Sequence, residues 1–239
     1  MQPPHYWVNT QSPKGQLLER LITGSGGAAL VREETTGREI RYVDWVAPGI
    51  LGMNIMFSSL FGIGYVIVRY RKSGYLKRLN ATPLRAIEFI GAQLISRLAL
   101  IMTITLLVFA GTNLVLHFRM EGSYFTLFLI ALLGSISMIA MGLTISARVT
   151  SEELAGGLLN LISSPMMVVS GVFFSMDGSP RFLQMAAKIF PLTHMLDAAR
   201  AVMLDGADIV EIAPQLTILG VMSVVFLAIG AGTFKWTQD

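Results

Sequence analysis

Cysteine is absent from all 239 residues, which excludes disulfides and thiolate metal sites without fixing the redox compartment. Charge is scarce. Asp, Glu, Lys and Arg make up 14% of the chain, where a soluble domain carries about 25%. The phosphate-cradling Gly-x-x-x-x-Gly-Lys-Ser/Thr pattern is missing. Gly24–Gly27 has no such lysine, so the chain shows no means of hydrolysing a nucleotide itself. The first ten residues lack a cationic stretch followed by an apolar core and do not read as a signal peptide. No carboxylate pair, nucleophile triad or metal-ligand cluster stands at a workable spacing, which argues against an enzyme and against a bound cofactor or metal. The net charge of +3 is too small to suggest a nucleic-acid partner. Internal repeats and low-complexity segments are also lacking.

What the chain has is hydrocarbon: 53% of its residues are hydrophobic. Five runs contain no Asp, Glu, Lys or Arg: 45–68, 98–116, 123–147, 154–176 and 212–234. They hold 114 residues, nearly half the chain. About 20 apolar residues span the roughly 30 Å hydrocarbon core as a helix. None of the runs alternates with the period of two that a barrel strand needs. The expectation is an all-α polytopic membrane protein with five transmembrane helices, preceded by a polar segment over 1–44.

Orientation follows from charge. Residues 69–97 carry seven cations (Arg69, Arg71, Lys72, Lys77, Arg78, Arg85, Arg97) against one acid, Glu88. A cationic loop between two spans marks the cytoplasmic side. With that loop inside, the inner segments hold nine Lys/Arg in 40 residues and the outer ones nine in 85. This places 1–44, 117–122 and 177–211 outside and the C-terminus in the cytoplasm. An external N-terminus then lacks a translocation signal of its own, so either the first span inserts with its N-terminus outward or a further span lies upstream of this chain.

Within the loop, Tyr75, Leu76 and Leu79 share one face of a short helix, and Lys77 and Arg78 point away from it. Thr82 is placed as an N-cap with Pro83 at the first helical position, so that a second helix restarts there. The loop reads either as a docking surface or as a topology anchor that touches lipid headgroups. Farther on, Leu192, Met195, Leu196, Ala199, Val202 and Met203 form an apolar stripe, and Asp197 and Arg200 stand three apart. That segment lies flat on the outer surface or folds into it. His194 has no second histidine at ligand spacing and reads as a structural hydrogen-bonding group ahead of a proton relay. Asn54, Asn113 and Asn160 are the strongest polar side chains in the runs. Together with Pro165 they mark either a pathway or ordinary helix interfaces. The same holds for the small pairs Ser58/Gly62 and Gly142/Ser146.

The pattern Gly74-x-Leu76-x-Arg78-Leu79-x-x-Thr82-Pro83-Leu84 resembles the cytoplasmic loop of ABC-2 type transporter permeases. Pro191-Leu192-Thr193-His194 resembles the same family's segment ahead of the last span, and the resemblance covers roughly 42–236. It implies the last five spans of a six-span fold, with the first span lying upstream. It implies an external helical hairpin over about 180–208 containing Pro191, His194, Asp197 and Arg200. It also implies that a separate ATP-binding cassette ATPase, which holds the ATP and magnesium, docks on Tyr75, Leu76, Lys77, Arg78, Leu79, Thr82 and Pro83. A second permease copy would complete the unit. Substrate would be exported across the cytoplasmic (inner) membrane of a prokaryote. The family departs from this chain at Arg69-Tyr70-Arg71-Lys72, where many members carry acids. The rival reading, a stand-alone secondary transporter or channel, calls for an ionisable coupling group inside a span, and the five runs have none.

Overall fold

The computed structural model describes residues 5–8, 31–34, 42–116, 120–176 and 178–234. The 235–239 tail and most of 1–41, to which sides of the membrane were assigned above, lie outside these. The chain divides into two compact units, Met1–Tyr42 and Val43–Asp239. In the first, strand β1 (His5–Val8) pairs in parallel with β2 (Val31–Glu34), in register His5 to Val31. Sequence analysis anticipated no strands there.

From Tyr42 onward the described elements are helices. Helix α1 (Tyr42–Lys72) is followed by a short α2 (Tyr75–Asn80), then α3 (Ala86–Leu116) and α4 (Tyr124–Ser146). After them come α5 (Glu152–Val169), the pair α6 (Arg181–Ala187) and α7 (Pro191–Asp205), and α8 (Ala213–Thr233). Helices α1, α3, α4 and α8 are long and apolar enough to cross a membrane. The fourth expected span, 154–176, forms a shorter element. Helix α5 begins earlier, where Ser151 accepts from the Leu154 N–H (3.1 Å) and Glu152 and Glu153 fill the first turn. It ends at Val169, and Gly171 follows in the left-handed region (φ 72°). Helix α3 differs in the other sense. It starts twelve residues before the expected span, so the interfacial helix and the span are one rod of 31 residues.

Helix α1 is the central strut. Met56, Leu60, Ile63 and Ile67 are fully or almost fully buried along it. Helix α4 meets it at Gly142, where a Cβ would stand 2.7 Å from Ile63 Cγ2 and 3.2 Å from Leu60 Cα. That approach brings backbone against side chain, the arrangement by which membrane helices gain packing where lipid supplies no hydrophobic drive between them. Ser146, four residues on, is buried and donates to the Gly142 carbonyl (2.8 Å). The other small pair, Ser58/Gly62, is not a contact within the chain at Gly62, which has open space around it.

These two glycines give a matched test. Gly142→Ala forces Ile63 and the Leu60 backbone to yield and is expected to lower stability by about 1–3 kcal/mol. Gly62→Ala meets nothing and is expected to be neutral or to stabilise by up to about 1 kcal/mol through helix propensity. Thermal unfolding of the detergent-purified variants reads both. Equal effects would mean that α1 and α4 do not pack at Gly142.

Candidate functional site

The α1–α2–α3 elbow and the α6–α7 hairpin carry the residues singled out by motif. At the elbow, α1 closes with Ser73 N–H donating to the Arg69 carbonyl (2.9 Å) and Gly74 N–H to the Arg71 carbonyl (3.1 Å). Gly74 sits at φ 70°, left-handed, and starts α2. A residue with a Cβ pays roughly 1–2 kcal/mol there, which gives the motif's glycine a physical cause. Helix α2 lasts six residues. Thr82 ends it: its N–H (2.9 Å) and hydroxyl (2.6 Å) both donate to the Leu79 carbonyl. Thr82 is thus a cap for the end of α2, not the N-cap expected. The residue before a proline avoids the helical region, so Thr82-Pro83 separates α2 from α3. Helix α3 starts only at Ala86, and the Glu88 carboxylate accepts from the Arg85 N–H (3.0 Å) as half of a capping box.

The faces of α2 differ from the expected docking arrangement. Leu76 is fully buried in the main apolar core, and Leu79 and Leu84 pack against that core. Leu76 is taken up by its own chain, which removes it from the exposed face expected for docking, and Leu79 and Leu84 are partly covered. The apolar stripe of a short helix has to be covered, and here the chain's main apolar core covers it in part. The exposed residues are Tyr75, Lys77, Arg78, Asn80, Thr82 and Pro83, with Arg69, Lys72 and Arg85 nearby. The Tyr70 and Tyr75 rings meet across the turn at a tilt of 50°, 4.8 Å between centroids.

Arg71 behaves unlike its cationic neighbours. It is buried, and its guanidinium donates to the carbonyls of Ser146 (3.3 Å), Ala147 (2.6 Å) and Val149. Those are orphan carbonyls where α4 ends and the chain turns into α5. A cation at a helix C-terminus also meets the negative end of the helix dipole. The residue that leads into the elbow therefore grips the α4–α5 turn. Sequence counting had treated Arg71 as one positive charge among seven.

At the other end of α1, the hairpin is equally specific. Pro191 opens α7, whose inner face of Leu192, Met195, Leu196, Ala199, Val202 and Met203 is buried. Thr193 Oγ1 donates to the Ala187 carbonyl (2.6 Å) and lies 2.9 Å from Ser170 Oγ. His194 Nε2 lies 2.8 Å from the Lys188 carbonyl, and since a carbonyl only accepts, Nε2 carries the proton. The Pro-Leu-Thr-His motif thus ties the end of α6 to the start of α7. Arg200 stacks on the Trp45 ring of α1 (4.0 Å) and donates to the carbonyls of Gly171 (2.6 Å) and Val172 (3.2 Å). Burial lowers its pKa from the ordinary arginine value and the charge of Asp197 opposes the shift. An arginine so placed keeps its charge.

The three asparagines lie on three different helices. Asn54 is half-buried on α1, Asn113 half-buried on α3, and Asn160 exposed on α5, as is Pro165. Asn54 Oδ1 is buried without a hydrogen-bond partner.

Comparison with known proteins matches residues 7–204 to the ABC-2 type transporter family. The inner membrane transport permease YhhJ of Escherichia coli is 25% identical over 190 residues, 77% of this chain and 50% of the relative. The probable multidrug ABC transporter permease YbhS of the same organism is 24% identical over 186 residues, 77% and 49%. Nodulation protein J of Rhizobium leguminosarum bv. trifolii is 25% identical over 218 residues, 88% and 80%. The chain spans about half the length of the two Escherichia coli relatives.

The elbow yields a stability test. Leu76→Asp places a carboxylate in the core and is expected to cost about 3 kcal/mol or more. Arg71→Met leaves the α4–α5 carbonyls without their donors, an expected loss of about 2–4 kcal/mol. Lys77→Ala, on the exposed face, is expected to stay within about 0.5 kcal/mol of the parent. Thermal-shift midpoints in detergent measure all three. A stable Leu76→Asp protein would mean that Leu76 faces outward.

Proposed function

This chain belongs to the ABC-2 type transporter family, and on that premise we propose that it is the permease subunit of an ABC exporter, moving a substrate across the cytoplasmic membrane on ATP hydrolysed by a separate cassette ATPase. The observation that carries the reading is the elbow. Its exposed face is aromatic and cationic, and directly behind it Arg71 joins α1 to the α4–α5 turn. A push on α2 from a docked ATPase would reach two spans at once by that route. ATP and magnesium would bind on the partner. Because Leu76 is taken up by the core and Leu79 is partly covered, the docking surface in this reading is Tyr75 with Lys77 and Arg78. The ATPase should answer it with an acidic rim, and opposite charges of this kind govern association rate and salt dependence more than affinity.

The reading also orients the chain. The elbow is cytoplasmic, the hairpin external, and α5 with the segment up to Met176 counts as the fourth of the last five spans of a six-span fold. On α5 the residues Leu154, Gly157, Leu161, Ser164 and Val168 follow each other at spacings of three and four, all exposed, with Asn160 beside them. Lipid leaves an asparagine amide unsatisfied. A second permease copy on this face would cover it, and substrate would pass between the copies.

Two measurements test the proposal. Tyr75→Ala combined with Arg78→Glu is expected to reduce co-purification of the cassette ATPase about tenfold or more, with membrane insertion unchanged. Arg181→Glu in the hairpin should have no effect. Undiminished ATPase binding by the double variant would remove the elbow as the docking surface. Since the chain has no cysteine, Ser73→Cys and Ser179→Cys report topology singly. An impermeant thiol reagent on intact cells is expected to label the second and spare the first, and labelling at position 73 would invert the orientation.

A further inference from the structure

Helix α3 carries a cation deeper than its apolar run implies. That run, 98–116, leaves Arg97 at the membrane surface. Contacts with the neighbouring helices set the depth directly. The Phe89 ring meets Phe234, at the C-terminal end of α8, with 5.8 Å between centroids. Met102 Sδ lies 4.0 Å from Ser135 Oγ of α4. The Phe109 ring meets that of Tyr124, the first residue of α4, edge to face at 6.1 Å. Helices α3 and α4 are therefore antiparallel, and the stretch of α3 level with α4 runs from about Phe89 to about Phe109. Arg97 comes eight residues after Phe89, about 12 Å along the axis, where the whole hydrocarbon core is roughly 30 Å thick.

The guanidinium at that depth is not engaged. Arg71 and Arg200 are bonded to backbone carbonyls. Arg97 is half-buried and makes no hydrogen bond or ion pair among the described residues. Glu88, the one acid on α3, stands on the opposite side of the helix and already accepts from the Arg85 N–H. Gln93, one turn before Arg97, is also half-buried and also unengaged among the described residues. At 100° per residue, buried Ile90 and Ile101 lie about 20° and 40° to one side of Arg97. Ile104 and Leu100, 37% and 49% exposed, lie about 20° and 60° to the other. Arg97 thus stands on the seam between the face that α3 turns to the protein and the face it turns to lipid. An ionisable group at such depth is costly and marks a functional site. Arginine keeps its charge, so this one is no proton-coupling group. Its fork fits a phosphate or carboxylate through two parallel hydrogen bonds, and the Gln93 amide adds a donor on the same seam.

We propose that the Gln93–Arg97 seam of α3 binds the phosphate or carboxylate head of an anionic amphiphile, whose tail lies along exposed Leu100, Ile104 and Leu107. A bilayer phospholipid and an exported anionic amphiphile share this chemistry. Entry from the cytoplasmic leaflet rests on the orientation proposed above; the anion site itself does not.

The probe is a phosphatidylglycerol with a diazirine in one acyl chain, doped into phosphatidylcholine vesicles that hold the purified full chain, with crosslinks mapped by mass spectrometry. Saturable labelling is expected on residues 100–107, displaced by octyl phosphate and not by octanol. Arg97→Gln should lower it about tenfold, the worth of one charge-assisted hydrogen bond. Arg97→Lys, which keeps the charge, should recover part of the loss. Arg85→Gln, at the exposed start of α3, should change labelling by less than about twofold. The thermal midpoint of Arg97→Gln is expected to equal or exceed that of the parent, because an uncompensated charge is removed. A drop as large as that of Arg71→Met would mean that Arg97 is bonded within the fold, and overturns the proposal. So does equal labelling of Arg97→Gln and the parent. Equal losses in Arg97→Gln and Arg85→Gln overturn it too, leaving only a general attraction between a cationic surface and anionic lipid. Phosphatidylglycerol that stays with the chain through purification, and is lost in Arg97→Gln, identifies a resident lipid. Displacement by octyl phosphate with no lipid retained identifies a free or transported amphiphile. No ATPase is present, so the outcome is independent of the docking surface.

Discussion

Helix α5 is held at both ends by a buried guanidinium, and the rest of the helical unit is arranged around that fact. Before it, Arg71 of α1 bonds the carbonyls of Ser146, Ala147 and Val149. After it, Arg200 of α7, stacked on Trp45 of α1, bonds those of Gly171 and Val172. Turns at the ends of apolar helices leave carbonyls that neither hydrocarbon nor a neighbouring helix can satisfy. An arginine fork can satisfy two or three at once, where a lysine would act as a single point charge. Hydrogen bonds from a charged donor are worth about 1.5–3 kcal/mol each, so each clamp competes with the packing energy of several side chains. Both begin or end on α1, at Arg71 and at Trp45.

The clamps also explain how a short, polar-capped α5 can stand among longer spans. Its face toward the chain is made by Ala155, Leu159, Ser163 and Met166, all buried. Its other face is left open. A helix whose ends are fixed to α1 transmits a displacement of α1 without needing a large contact of its own. In the proposed exporter this turns the elbow's movement into a movement of the surface on which two copies meet.

The sequence made the membrane class and the family legible, because both rest on signals that are local: uninterrupted apolar length and two short motifs. Four of the runs became helices long enough to cross a membrane. The end of α5 was harder to read. The apolar run continues through 170–176, and hydrophobicity does not distinguish Gly171 as a flexible packing residue from Gly171 as a left-handed stop. The elbow failed for a related reason. The periodicity of Tyr75, Leu76 and Leu79 correctly says that one face is apolar, but periodicity carries no information about what covers it. Arg71 was invisible for the same cause, since its carbonyl partners are more than 70 residues away. Thr82 showed a capping residue without showing which of two helices it caps.

Helix α7 links the Arg200 clamp to an apolar cavity of about 300 Å³ among α1, α3, α4 and α7. Ala199 lines the cavity and Arg200, its neighbour in the chain, holds the α5–α6 loop. At about 100° per residue, a rotation of α7 that re-aimed Met195 and Met203 would also swing the guanidinium off its carbonyls and off Trp45. That loss includes two charge-assisted hydrogen bonds and a stacked cation, the latter alone worth about 1–2 kcal/mol when desolvated. Changing the methionine rotamers costs far less. The cavity therefore adapts through its side chains on a fixed helix. A larger change of shape would require release of the Arg200 clamp, and with it one end of α5.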